Sequence, residues 1–323
     1  MQILGMKIMN IFLNSLSGVL TILVMIVVGY GLTRIGWFNE SISRLIAKLV
    51  TQVALPLYMM TTIMTRFSKK ALVQLLPDLR FPVISMLLLF ALSFLVVKLL
   101  HIDQSKRGLF KSMFFNSNTI FVGLPVNMAL FGQDSLPYVL VYYMANTFFF
   151  WTLGVYLIKQ DGQTKEPFSW FATLKKVFSP PLLGFMIGVV FVLLGIQLPT
   201  FLLSDAQYIG NLTIPLSMFF IGIQLALVGL SHLTINKDSL GILGGRFIAA
   251  PLVMALLVMT APLPLLLKQV FIIQAAMPVM TNAPVVAKLY GADADYAAVM
   301  VTESTLISMI VIPILMVLIQ GIH

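Results

Sequence analysis

The chain contains no cysteine, which excludes disulfides, thiolate nucleophiles and cysteine-rich metal sites. Histidine is scarce. His101, His232 and His323 lie far apart, in connections or at the terminus, so no His-based metal site and no cofactor is expected. Charged residues make up 10% of the 323 positions, against about 25% in a soluble domain, too few to cover a water-facing surface. No phosphate-binding loop, nucleophile elbow or zinc-ligand spacing occurs, and no pair of buried catalytic groups can be found, so an enzyme is not expected. The net charge of +9 would suggest a nucleic-acid partner in a soluble protein. Here the cations fall between apolar blocks, where they orient a membrane protein, and the expected partner is a lipid bilayer.

What the chain has is hydrophobic sequence, 59% of it, in blocks of about 20 residues, the length that crosses a hydrocarbon core as a helix. Lipid offers no partner for open backbone groups, so helices are the expected elements; a β-barrel would instead show weak alternating segments of about 10 residues. The first block is too long for a signal-peptide core and lacks a small-residue cleavage site. Ten spans are expected, at 11–33, 43–64, 79–100, 109–131, 136–158, 179–197, 205–229, 239–260, 267–290 and 294–319. One set of connections and flanks carries 14 Lys and Arg, including Arg34, Lys106, Lys159, Lys237 and Arg246, and the opposite set carries 6. The positive-inside rule then puts both termini outside the cytoplasm and the polar mid-chain connection inside, in a multi-pass protein of the plasma or inner membrane. The basic stretch 66–80 runs against this asymmetry.

An offset of 159 residues superposes Gly29 on Gly188, Gly36 on Gly195, Pro56 on Pro215 and Pro125 on Pro284. Such a repeat divides the chain into five spans over 1–158, a cytoplasmic linker over 159–178 and five spans over 179–323. An odd number of spans inserts the second copy upside down, and inverted repeats with interrupted helices at matching places point to a secondary transporter and its site.

Spans four and nine carry the unusual chemistry. Span four contains Asn116-Ser-Asn-Thr-Ile-Phe-Val-Gly-Leu-Pro125, and span nine contains Gln274-Ala-Ala-Met-Pro-Val-Met-Thr-Asn-Ala-Pro284. Proline removes a backbone donor and clashes with the preceding turn; unwound backbone survives at membrane depth only inside protein or beside a wet cavity. The half-helix N-termini so exposed suit a carboxylate. Asn116, Asn118, Thr119, Thr281 and Asn282 are therefore candidate substrate ligands, with Gly123, Pro125, Pro278 and Pro284 as hinge residues. A proline that merely kinks its helix is the competing reading. Of the acidic residues, only Glu303 lies deep in a span, where desolvation disfavours its charged form. It is a candidate proton-coupling group or, equally, a protonated side chain bonded within the bundle. Gln52, Gln224 and the Gly244-Gly245 pair read as helix packing, and Phe148-Phe-Phe-Trp151 as lipid-facing or packing surface.

These motifs resemble the auxin efflux carrier superfamily, in particular its bacterial malate or malonate permease branch. Asn118-Thr-Ile-Phe-Val-Gly-Leu-Pro125 is similar to the family's fourth-helix signature. Pro215-Leu-Ser-Met-Phe-Phe-Ile-Gly-Ile-Gln-Leu-Ala226 is similar to its seventh. Gln274-Ala-Ala-Met-Pro278 with Asn282-Ala-Pro-Val-Val-Ala-Lys-Leu-Tyr-Gly291 matches its ninth, and Ser304-Thr-Leu-Ile-Ser308 with Pro313 its tenth. The resemblance implies an all-α integral membrane fold of the bile-acid-symporter/NhaA type: ten transmembrane helices as a five-plus-five inverted repeat, with broken, crossing helices four and nine. It also implies a scaffold of helices 1, 2, 6 and 7, a transport domain of helices 3–5 and 8–10, a homodimer, and a small organic anion bound beside the crossing near Asn118. Glu303 and Pro284 lie outside the family pattern, which leaves coupling to protons or, less readily, sodium open. The alternatives are a sodium-coupled bile-acid-type symporter and a membrane sensor that binds without transporting.

Overall fold

A computed structural model describes residues 20–162, 178–229 and 235–320. The start of the first expected span, most of the predicted linker, His232 and His323 lie outside the described residues. Twelve helices are described: α1 (Leu20–Arg34), α2 (Glu40–Arg66), α3 (Lys69–Leu99), α4 (Arg107–Phe115), α5 (Gly123–Phe131), α6 (Gln133–Asp161), α7 (Pro180–Leu194), α8 (Thr200–Val228), α9 (Lys237–Met259), α10 (Leu265–Ala275), α11 (Ala283–Tyr290) and α12 (Ala294–Gln320). Among the described residues there is no strand. Six helices (α2, α3, α6, α8, α9 and α12) are long and apolar enough to cross a membrane, while α1, α7 and α10 are apolar but shorter.

Local sequence accounts for several of the irregularities, though not for the π turn at Phe150–Gly154, which no proline follows in α6. Proline cannot accommodate the carbonyl four residues earlier, and ahead of Pro56 and Pro251 the helix widens into π turns at Val50–Ala54 and Gly245–Ala249. Each bulge contains that fourth preceding residue. Pro125 and Pro284 occur within the first turns of α5 and α11. A missing N–H costs nothing there, so each proline starts the second half of its segment and the unwound backbone lies before it. Asn39 and Asn236 cap the starts of α2 and α9, each side-chain oxygen accepting a backbone N–H from the first turn.

The 159-residue offset also appears in the element boundaries. Added to α1, it gives 179–193, beside Pro180–Leu194; added to α5, it gives 282–290, beside Ala283–Tyr290. The left-handed turn glycines Gly36 (φ 87°) and Gly132 (φ 70°) fall on Gly195 (φ 70°) and Gly291 (φ 73°). Contacts recur too. A Cβ on Gly29 would stand 2.6 Å from the backbone oxygen of Phe219 in α8, and one on Gly188 would stand 2.9 Å from that of Met60 in α2. Met60 and Phe219 are themselves 159 apart. Small residues thus bring α1 against α8 and α7 against α2 backbone to backbone, the usual way membrane helices gain dispersion contact without a hydrophobic drive.

One expectation is corrected here. Arg246 is not a cytoplasmic flank: it is fully buried within the π turn of α9 and drops out of the count of orienting charges. The Gly244-Gly245 pair divides. A Cβ on Gly245 would strike the ring of Phe114 at 2.4 Å, whereas none of the neighbours of Gly244 comes within 4 Å.

Candidate functional site

Between α4 and α5 the chain is unwound over 116–122, and between α10 and α11 over 276–282. The two stretches touch. Ser117 and Val279 form an isolated antiparallel bridge, and the Asn118 N–H donates to the Pro278 carbonyl at 2.8 Å. Neighbouring helices tie the crossing down by side chains that satisfy backbone left open by the breaks. Asn146 of α6 accepts the Ser117 N–H at 2.9 Å and returns its amide to the Ser117 carbonyl at 2.8 Å. Ser304 of α12 accepts the Val279 N–H at 3.1 Å, and the Gln274 amide donates to the Thr119 carbonyl at 3.4 Å. Buried polar backbone held in this way specifies one arrangement, since each lost partner would leave a desolvated group.

Beside the crossing is a cavity of about 280 Å³. The unwound stretches supply Asn118, Thr119, Thr281 and Asn282; α2 supplies Thr51 and Gln52; α6 supplies Tyr143, Thr147 and Trp151; the start of α7 adds Pro180 and Pro181. No charged side chain lines it among the described residues. Asn118 is 2% exposed; its oxygen accepts the Phe121 N–H at 3.1 Å, and its amide nitrogen has no protein acceptor. Asn282 lines the cavity at the start of α11, and its side chain does not cap that helix. Phe121 forms part of the wall and packs on Phe220 with ring centroids 4.9 Å apart. Beyond this pair a small apolar space of about 30 Å³ lies among Ile26, Val122, Met218 and Ile312.

Four of the five candidate ligands are thus brought together. Asn116 is not among them: it is buried off the cavity wall, bonded to the Ser112 carbonyl at 3.0 Å and packed on Gly154. Gly123 makes room for the side chain of Gln274, a Cβ there falling 2.4 Å from its oxygen. Pro278 supplies the bridging carbonyl. Glu303 is 3% exposed and sits next to Ser304, away from the cavity wall. Gln224 packs as expected, its amide reaching Ser43 at 2.7 Å. Gln52 and Trp151, expected as packing or surface, are on the cavity wall instead.

The sequence match spans the same elements. Residues 15–316 match the membrane transport protein family. The chain belongs to this family, the auxin efflux carriers. As an auxin efflux carrier family member it is a multi-pass membrane transporter. It is 27% identical over 308 residues to an uncharacterized transporter of Methanothermobacter thermautotrophicus, covering 94% of this chain and 98% of that one. A second uncharacterized transporter, from Methanocaldococcus jannaschii, is 26% identical over 308 residues, 91% of this chain and 95% of its own.

Three residues that satisfy backbone groups of the broken segments escaped the sequence reading. Asn146 was readable as an amide near the middle of span five. Arg246 was readable as a cation seven residues inside span eight with a proline five residues on. Asp161 ends α6 and caps α4, accepting the Gly108 and Leu109 N–H groups at 2.9 and 2.6 Å; no local signal marks that long-range pairing.

Proposed function

We propose that this carrier moves small organic anions, malate- or malonate-like carboxylates, by alternating access around the crossing. The observation that carries the reading is the Asn118 amide: a buried donor without a protein acceptor on the wall of a cavity free of acidic side chains. A carboxylate supplies the acceptor, and the N-terminal ends of α5 and α11 add partial positive charge beside it. The same lining disfavours the sodium-coupled alternative, because a hard cation seeks oxygen ligands and gains most from a carboxylate.

On this reading the chain is a ten-span, five-plus-five inverted repeat, over 1–158 and 179–323, supported by the recurrence of boundaries and glycine contacts at the 159 offset. The cavity then lies between a scaffold of α1, α2, α7 and α8, which also forms a homodimer, and a moving unit of the remaining helices. Contacts join the ends expected on the cytoplasmic side, Lys106 pairing with Asp293 at 3.3 Å and Lys237 donating to the His101 carbonyl at 3.1 Å, and the Lys/Arg asymmetry supplies the direction. Because the chain lacks cysteine, single cysteines can test it. In intact cells an impermeant thiol reagent should label Gln133→Cys and spare Ser105→Cys; the reverse pattern inverts the topology.

Net uptake of radiolabelled malate and malonate into proteoliposomes tests transport. Uptake above protein-free vesicles, lost in Asn118→Ala, is expected; binding without uptake would make the protein a sensor. Glu303 is the proposed proton site. A neutral Glu303 removes negative charge near an anion site, so proton and substrate should favour each other. Activity should rise as pH falls from about 8 to 5, and Glu303→Gln should flatten that profile. An unchanged profile in the variant would exclude Glu303 from coupling.

A further inference from the structure

Arg246 is fully buried, and its three described hydrogen bonds all go to backbone carbonyls. Nε donates to Met277 at 3.0 Å, one terminal nitrogen donates to Phe114 at 3.2 Å, and the other donates to Ala275. Phe114 lies in the last turn of α4 and Ala275 ends α10. A helix C-terminus leaves its last carbonyls without intrahelical partners and carries about half a negative charge. One guanidinium therefore serves the C-terminal ends of both broken segments at once, a task that suits its fork of five donors and not the single point of a lysine. Both described ion pairs, Arg44–Glu40 and Lys106–Asp293, lie elsewhere.

Burying a cation at membrane depth is costly and marks functional positions. The placement of this one suggests what it does. Phe114 and Met277 each precede by three residues a cavity-lining residue, Ser117 and Met280. Three residues of chain reach at most about 10 Å. With the negative helix ends covered, the positive ends of α5 and α11 and the guanidinium charge together set the potential at the cavity.

We propose that Arg246 is a positioning residue that gives the crossing its preference for anions, by neutralising the C-terminal ends of α4 and α10 while contributing a fixed positive charge from behind the cavity. This rests on the organic-anion reading above. A unit charge about 12 Å from a bound carboxylate, at an effective dielectric of about 20, corresponds to roughly a tenfold change in affinity.

The test compares malonate with its uncharged diamide as stabilising ligands of the purified full-length protein, in the parent, Arg246→Gln and Arg246→Lys. The parent should be stabilised by malonate at concentrations where the diamide has no effect. Arg246→Gln should lose about tenfold in malonate affinity and so lose the discrimination. Arg246→Lys should keep malonate affinity within about threefold, because the charge remains, while melting at lower temperature because one ammonium cannot serve three carbonyls. A folded Arg246→Gln that binds malonate as tightly as the parent reduces Arg246 to a structural role and overturns the proposal alone. If Arg246→Gln does not fold, Arg246→Lys decides: malonate affinity near the parent's supports the proposal, and a tenfold loss overturns it. A parent that neither malonate nor any other carboxylate stabilises overturns the organic-anion reading itself, a result distinct from either variant outcome.

Discussion

The helices α3 and α9 occupy corresponding places in the two proposed halves, and they differ where it matters most. In α9, Pro251 forces a π turn that carries Arg246, which is fully buried against the crossing. The position 159 residues earlier than Pro251 is Leu92, and α3 runs as a regular α-helix from Arg80 to Leu99. The counterpart of Arg246 is Leu87, 46% exposed. The other helix boundaries recur at the 159 offset to within three residues. The shared features are a pair of broken segments with opposed helix ends, and the bulge of α9, unmatched in α3, brings a buried cation to the C-terminal ends of α4 and α10.

The largest test of that contrast is Arg246→Met against Leu87→Met. Removing the guanidinium leaves three buried carbonyls without their donor, and the loss should be about 3 kcal/mol or more. The change at Leu87 should stay within about 0.5 kcal/mol; thermal unfolding in detergent measures both. Next come Gly29→Ala and Gly188→Ala, whose added methyls meet Phe219 and Met60 backbone. Each should cost about 1–3 kcal/mol by overpacking, and similar values in one unfolding assay would support the repeat, whereas a neutral result at one of them would break it. Smaller still are Gly36→Ala and Gly195→Ala, where a side chain is placed at φ 87° and 70°. About 1 kcal/mol each is expected from left-handed strain, from the same unfolding curves.

Much of this architecture was legible in the residues. Blocks of apolar sequence mark the six long apolar helices because the bilayer enforces their length, although α3 starts at Lys69, ten residues before the expected span. Breaks in spans four and nine were marked by Asn and Thr gathered with Gly and Pro near mid-span. Less legible was the role of each proline: Pro125 and Pro284 start helices, so the unwound stretch lies before them and the cavity is lined by 117–121 and 280–282. Asn116 shows the limit of motif reading. Two residues from Asn118 in an extended stretch, it nevertheless turns back to the last turn of α4 and bonds Ser112. Arg246 was counted with the flanking cations because charge in a hydrophobic block is normally found near its end; only the fold brings Phe114 and Ala275, remote in sequence, to its side chain. Trp151 and Gln52 were assigned to packing since neither type announces a binding wall by itself.

On the proposed reading the crossing binds a carboxylate through Asn118 and Asn282. Equilibrium binding of radiolabelled malonate to the purified parent, Asn118→Ala and Asn282→Ala tests it most directly. Loss of a buried hydrogen bond to a charged group is worth about 1.5–3 kcal/mol, so Asn118→Ala should weaken binding by roughly tenfold to a hundredfold. Asn282→Ala, at a half-buried position, should weaken it by about three- to tenfold, with both variants unfolding near the parent's temperature. Parent-like malonate affinity in both folded variants would contradict the claim and place the anion elsewhere in the protein.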